Sequence, residues 1–308
     1  MNLVFSLAAL ALLAGAPQDP VPAAPPVPAS PAPDPETATE IDDVVVYGGD
    51  PVDRAQRFVQ EVSRPAFSRP LARWNDPLCV GVTNIEPVAA QAMIDRISTV
   101  AVALGLETEP PGCKPNVLVI AGNTDQLATL ARNSVRDRPM AWRPSRGGTD
   151  LGSVALREFA NSTAPVRWWH VSLPRTLDEG IPAIPLNGEP PPQLVVRGAS
   201  RISSQLRTDL MGVVILADLS KMQTTSFAAL ADYIAMVALA QIDPALDVHS
   251  ADTILNLFNP DQAAPRGMTE WDAAFLVSLY ESKPNPLSPS QQQRELSREI
   301  VRLTGQGG

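Results

Sequence analysis

The chain has 308 residues, of which 44% are hydrophobic and 19% charged, with a formal net charge of −9. All seven acidic residues before position 51 lie in a segment without Lys or Arg, so the remaining 26 face all 24 basic residues and the body is close to neutral. A near-neutral body with scattered arginines excludes a nucleic-acid binder, which needs a clustered basic face.

Residues 1–16 (MNLVFSLAALALLAGA) form an apolar run ending in Ala14-Gly15-Ala16, the small-x-small pattern that signal peptidase cuts. The run reads as an export signal, which places the protein in the periplasm or outside the cell. Pro17 follows Ala16 directly, so Ala23 is a second cleavage position, and an uncleaved membrane anchor is the alternative. Residues 17–50 read as a disordered tether: up to Glu40 they are rich in Pro and Ala with no apolar residue bulkier than valine, too little apolar surface to offset ordering. Residues 41–48 (IDDVVVYG) resemble the short acidic-then-valine box near the N-termini of TonB-dependent outer-membrane receptors, although Tyr47 stands where threonine is usual and no barrel-sized chain follows. The resemblance implies a segment that adds as a strand to a partner's sheet. The plainer reading is a strand at the edge of this protein's own sheet.

Residues 51–308 contain no second linker and no internal repeat, and read as a single domain. The spacing of Ala55, Phe58, Val59 and Val62 predicts an amphipathic helix over 53–63. LCVGV (78–82) and NVLVI (116–120) read as strands around a helix over 86–106, with Val88, Ile94, Ile97, Ala101 and Leu104 at helical spacing and Gly105 near its end. Such a β-α-β unit runs its strands in parallel. Cys79 begins the first strand and Cys113 precedes the second, at one end of the sheet if the strands are neighbours. In an exported protein these two, the only cysteines, form a disulfide; two unpaired thiols are the alternative. A further helix is expected over 124–133, strands over 166–173 and 193–196, and loops over 139–152 and 174–192.

Residues 212–242 (GVVILADLSKMQTTSFAALADYIAMVALAQI) read as the centre of the molecule. Val213 to Leu216 form an unbroken apolar run, as a strand covered on both faces does. Thr224, Thr225 and Ser226 offer a helix cap, and Asp243-Pro244 a stop. Between them Phe227, Leu230, Ala231, Ile234, Val237, Ala238 and Leu239 leave Asp232 as the only charge, so the helix is expected to be buried all round. It is too short to cross a bilayer, which needs about 20 apolar residues. After ILNLF (254–258), Thr269 caps a helix reaching Glu281, and Ser288-Pro289-Ser290-Gln291 is a capping box opening a last helix. The order of elements predicts an α+β (mixed α/β) domain: a sheet, a buried central helix and C-terminal helices.

The strand GVVIL, the helix SFAALADYIAMVALAQIDP, the segment DTILNLF and the helix MTEWDAAFLVSLY together resemble exported bacterial families of unknown function that look related to zincin-type metallopeptidases. Thr269, Asp272, Leu279 and Tyr280 match the "T-x-x-D…LY" pattern of that last helix. In the zincins the buried helix holds zinc through H-E-x-x-H, because positions i and i+4 place two imidazoles on one metal. The corresponding windows here, Ala231-Asp232-Tyr233-Ile234-Ala235 and Asp232-Tyr233-Ile234-Ala235-Met236, contain no histidine. The resemblance therefore implies a zincin-like scaffold without zinc, and no ligand or catalytic base carries over; no cofactor is expected.

Asp232 in an apolar helix is a candidate acid or base, or a partner for an arginine. His170, between Trp169 and Val171, is a second candidate, and a packed histidine is its plain reading. His249 is a third. It sits with Asp243, Asp247 and Asp252 in a segment that reads as a solvated loop with an aspartate capping ILNLF, although it has the donor types of a metal site. Trp168 and Trp169 belong to a core or to a recognition surface. No G-x-S-x-G elbow, Walker loop or G-x-G-x-x-G occurs. The expectation is a non-catalytic exported envelope protein that binds a partner or ligand. A hydrolase using Asp232 with His170 or His249, and an accessory partner of TonB-linked transport, are the alternatives.

Overall fold

A computed structural model describes residues 50–65, 69–137, 150–183 and 203–305. The signal run, the tether, the IDDVVVYG box, residues 139–149 of the expected loop and the strand expected over 193–196 lie outside these residues.

The fold is mixed α+β, with seven α-helices and a four-stranded sheet among the described residues. Strands β1 (Val80–Thr83), β2 (Val117–Gly122) and β4 (Leu206–Asp218) run parallel, and β3 (Val166–Thr176) lies antiparallel on β4, in the order β1-β2-β4-β3. The expected β-α-β unit is present, with α2 (Pro87–Ala103) as its crossover. Cys79 and Cys113 form a disulfide at the start of these strands, their Cα atoms 6.0 Å apart.

Alternation along an interior strand sends successive side chains to opposite faces. Val213, Ile215 and Ala217 enter the main core, whereas Val214 and Leu216 face a smaller one beneath α3 (Thr124–Asp137) and α4 (Gly152–Asn161). The main core is built around α5 (Phe227–Leu239), in which every residue from Ala229 to Leu239 is buried. Around it pack α1 (Pro51–Val62), α2, α6 (Glu270–Glu281) and α7 (Pro289–Leu303). Phe58 of α1 stands edge-on to Trp271 and Phe275 of α6, at 5.3 and 6.0 Å between ring centroids.

Several local expectations need correction. Helix α5 ends at Leu239, where Ala240 turns extended (φ −139°, ψ 156°), and not at Asp243-Pro244; Phe227 at its first turn is 39% exposed. Strand β4 begins at Leu206, before the apolar run, because Thr208 and Asp209 are buried with polar partners inside the ladder. Pro174 continues β3 instead of opening a loop, a position open to proline because β3 is an edge strand. Helix α2 buries Met93, Ile97, Val100 and Ala101, while Val88 is exposed; Gly105, at φ +79°, then turns the chain. Helix α4, at Gly152 and beyond, was not expected. Thr253, and not an aspartate, caps the 3-10 helix at Ile254–Phe258. Gln291 reaches back to the Leu287 N–H at 2.9 Å, one residue before the Ser288 cap.

Candidate functional site

A helix buried on every side hides its side chains among apolar neighbours, but its charged residue and its last carbonyls still need partners. In α5 those partners come from α2, β3, α6, the loop before α6 and the segment around Trp74.

Asp232 is the single charge of α5, with a side chain 10% exposed. One carboxylate oxygen accepts from the Nε of Arg96 on α2, and the other from the Met268 backbone N–H at 2.8 Å. The approach is close: a Cβ on Gly267 would stand 2.9 Å from Asp232 Oδ2, so glycine at that position lets the loop before α6 reach the carboxylate. Asp232 therefore clamps α5 to α2 and to the start of α6.

At the C-terminal end, three side chains cap three consecutive carbonyls. His170 of β3 bonds the Val237 carbonyl at 2.8 Å through Nε2, so that nitrogen holds the hydrogen. Trp74 Nε1 donates to Ala238 O at 2.8 Å, and the Tyr280 hydroxyl of α6 donates to Leu239 O at 2.7 Å. Burial holds the His170 imidazole down at about 4, against the Val237 hydrogen bond, which favours protonation. Burial likewise raises the Tyr280 phenol. Trp168 Nε1 continues the collar to Ile242 O at 3.0 Å.

Residues 71–75, on which the sequence reading was silent, stitch this end together. Ala72 N–H donates to Gln241 Oε1 at 2.7 Å and Leu71 N–H to Gln292 Oε1 of α7 at 2.6 Å. Arg73 Nη1 donates to the carbonyls of Leu279, Tyr280 and Ser282 at 3.2, 3.0 and 2.8 Å, capping α6. Asn75 Nδ2 donates at 2.7 Å to Asp209, a fully buried carboxylate that Arg207 Nε also holds at 3.0 Å. Burial raises the Asp209 pKa, and the arginines oppose that shift.

The T-x-x-D pattern has a structural role. Thr269 and Asp272 form a reciprocal capping box at α6, and the same buried carboxylate accepts from Thr253 Oγ1 and from Ile254 N–H at 2.7 Å. Asp272 thereby fastens the DTILNLF segment to α6. Burial raises its pKa against four hydrogen bonds that lower it.

The sequence candidates do not converge. Asp232 is bonded to Arg96 and Met268, and His170 to a main-chain carbonyl. His249 is exposed, paired with Asp247 at 2.8 Å and with Gln262 at 3.2 Å, while Asp243 turns to Arg64 at 3.3 Å. Among the described residues no three His, Cys, Asp or Glu side chains form a cluster able to hold a metal ion. The tryptophans divide: Trp169 packs with Phe159 in the smaller core, and Trp168 lines a cavity of about 290 Å³ with Tyr233 and Phe258. The sequence reading missed Tyr233, Asn256 and Phe258 as cavity residues, because they come together only when α5 and the 3-10 helix pack.

Fold and site together define a mixed α+β protein with a buried central helix clamped at its one charge and collared at its C-terminus. No family model, curated protein or solved structure matches the chain.

Proposed function

We propose that this is an exported, non-catalytic protein of the bacterial envelope, periplasmic or secreted, which binds a ligand or partner on a zincin-like scaffold that lacks the zinc ligands. The observation that carries this reading is the engagement of Asp232: both oxygens hold structural partners, Arg96 on one side and Met268 N–H on the other. A general acid or base needs an oxygen facing substrate, and each oxygen of this nearly buried carboxylate already accepts a hydrogen bond that ties α5 to α2 or to the start of α6. His170 is occupied in the same way by Val237. The Cys79–Cys113 disulfide is compatible with an oxidising compartment. No described helix is long and apolar enough to cross a membrane.

Peptidase and esterase panels on the wild type and on Asp232→Asn, His170→Gln and His249→Ala test the reading. The expected result is no turnover above buffer by any of the four proteins. Turnover that disappears in one variant would establish a hydrolase using that residue, and one tightly held zinc per chain by elemental analysis would contradict the zinc-free scaffold. The TonB-linked alternative rests on residues 41–48. Deleting them and comparing envelope co-purification decides it, with an unchanged partner list counting against that role.

A further inference from the structure

Trp168 of β3, Tyr233 of α5 and Phe258 of the 3-10 helix line the 290 Å³ cavity together with Leu246, Asp247 and Asn256. The rings stand steeply to one another: Trp168 and Tyr233 at 68° and 6.1 Å, Tyr233 and Phe258 at 70° and 5.2 Å. Its size is close to the lower end of small-molecule sites, about 300 Å³.

Among the described residues no Lys, Arg or His lines the cavity. The Trp168 indole N–H is already engaged by Ile242 O, and the Asn256 amide nitrogen by Val248 O and Gln262 Oε1. Asn256 Oδ1 has no hydrogen-bond partner among the described residues, but it is closed off from the cavity, on a residue 3% exposed. The Tyr233 hydroxyl makes no hydrogen bond to a described residue, and burial alone acts on it. Asp247 adds an exposed carboxylate, which His249 also contacts. Aromatic rings and a carboxylate attract the same partner, a positively charged group.

We propose that this cavity binds a small organic ammonium ion, its charged group held between the aromatic rings and the Asp247 carboxylate. The proposal rests on the binding reading above and names the ligand class.

Isothermal titration of the purified full chain with phenethylammonium, 2-phenylethanol and phenylacetate tests it. Phenethylammonium is expected to bind with a Kd below about 1 mM, and the neutral alcohol roughly tenfold more weakly because the cation–π attraction is lost. Phenylacetate is expected not to bind. Phe258→Ala is expected to weaken phenethylammonium roughly tenfold, and Asp247→Asn, at a screened surface position that leaves the fold intact, about twofold. Equal affinity for the cation and the anion, no binding of the cation at millimolar concentration, or undiminished binding in both variants would overturn the proposal. Those outcomes with silent hydrolase panels sink the ligand assignment alone, whereas turnover in the panels sinks the non-catalytic reading.

Discussion

The Tyr280 hydroxyl donates to the Leu239 carbonyl across 2.7 Å, closing the last turn of α5 from α6. Leu239 is fully buried, and the hydroxyl is the partner its carbonyl has beyond the end of the helix. Tyr280→Phe keeps the ring and leaves the carbonyl orphaned, and is expected to lower stability by about 1–3 kcal/mol. Urea unfolding measures this; an unchanged midpoint would show that the collar does not hold the helix end.

Arg96 and Asp232 behave as a coupled pair. Arg96→Ala leaves the Asp232 carboxylate nearly buried with Met268 N–H as its remaining partner, and a loss of about 1–3 kcal/mol is expected. The effect stays below that of a fully buried pair because the Arg96 side chain is 41% exposed and solvent screens it. A double-mutant cycle with Asp232→Ala reads the coupling, and strictly additive single effects would refute the clamp.

Reduction of Cys79–Cys113, or replacement of both cysteines by alanine, releases a loop whose ends are 34 residues apart in sequence. The chain-entropy model gives a loss of about 3–4 kcal/mol for a loop of that length. Thermal unfolding with and without reductant checks it, and peptide mapping under non-reducing conditions checks the pairing itself.

The acid branch of the stability curve contains two opposing groups. Folded His170 stays neutral down to about 4, whereas the unfolded chain takes up that proton below about 6.5; between these values the unfolded state binds more protons and stability is lost as the pH falls. Burial pushes the Asp150 carboxyl up to about 6, with one oxygen bonded to Gly152 N–H at 2.7 Å and the other without a partner. Folded Asp150 therefore binds its proton before the unfolded chain does, and its contribution is lost as pH rises through about 6. His170→Gln is expected to flatten the acid loss between about pH 6.5 and 4. Asp150→Asn is expected to raise stability by about 1–3 kcal/mol above pH 7, an effect that vanishes below about pH 4. Urea unfolding across a pH series reads both, and a slope unchanged in His170→Gln would count against a buried neutral imidazole.

Much of the frame was legible because the signals were local. An unbroken Val213 to Leu216 run meant a strand with both faces covered, and the structure puts α3 and α4 on one side and α5 on the other. Cys79 and Cys113 could be paired by reasoning because parallel neighbouring strands start at the same sheet end, and β1 and β2 are such neighbours. The helix end was misjudged for the complementary reason. Proline at 244 forbids helix at its predecessor, but the actual stop at Leu239 is held by Trp74, His170 and Tyr280, which come from positions far apart in the chain.

The candidate site was less legible. The adjacent Trp168 and Trp169 point to opposite faces of β3 because strand side chains alternate, so the pair was never one surface. The cavity also needs Tyr233 and Phe258, 25 positions apart, and neither carries a motif.

By itself the sequence determined the α+β class, the β-α-β start, the buried central helix and the absence of H-E-x-x-H, since these depend on hydrophobic period, helix capping and residue identity along one segment. The partner of Asp232, the collar that ends α5 and the aromatic cavity were decided by tertiary structure alone. Hydrogen bonds and ring contacts between distant segments exist only after the chain has packed, and no local spacing encodes which buried polar group will meet which.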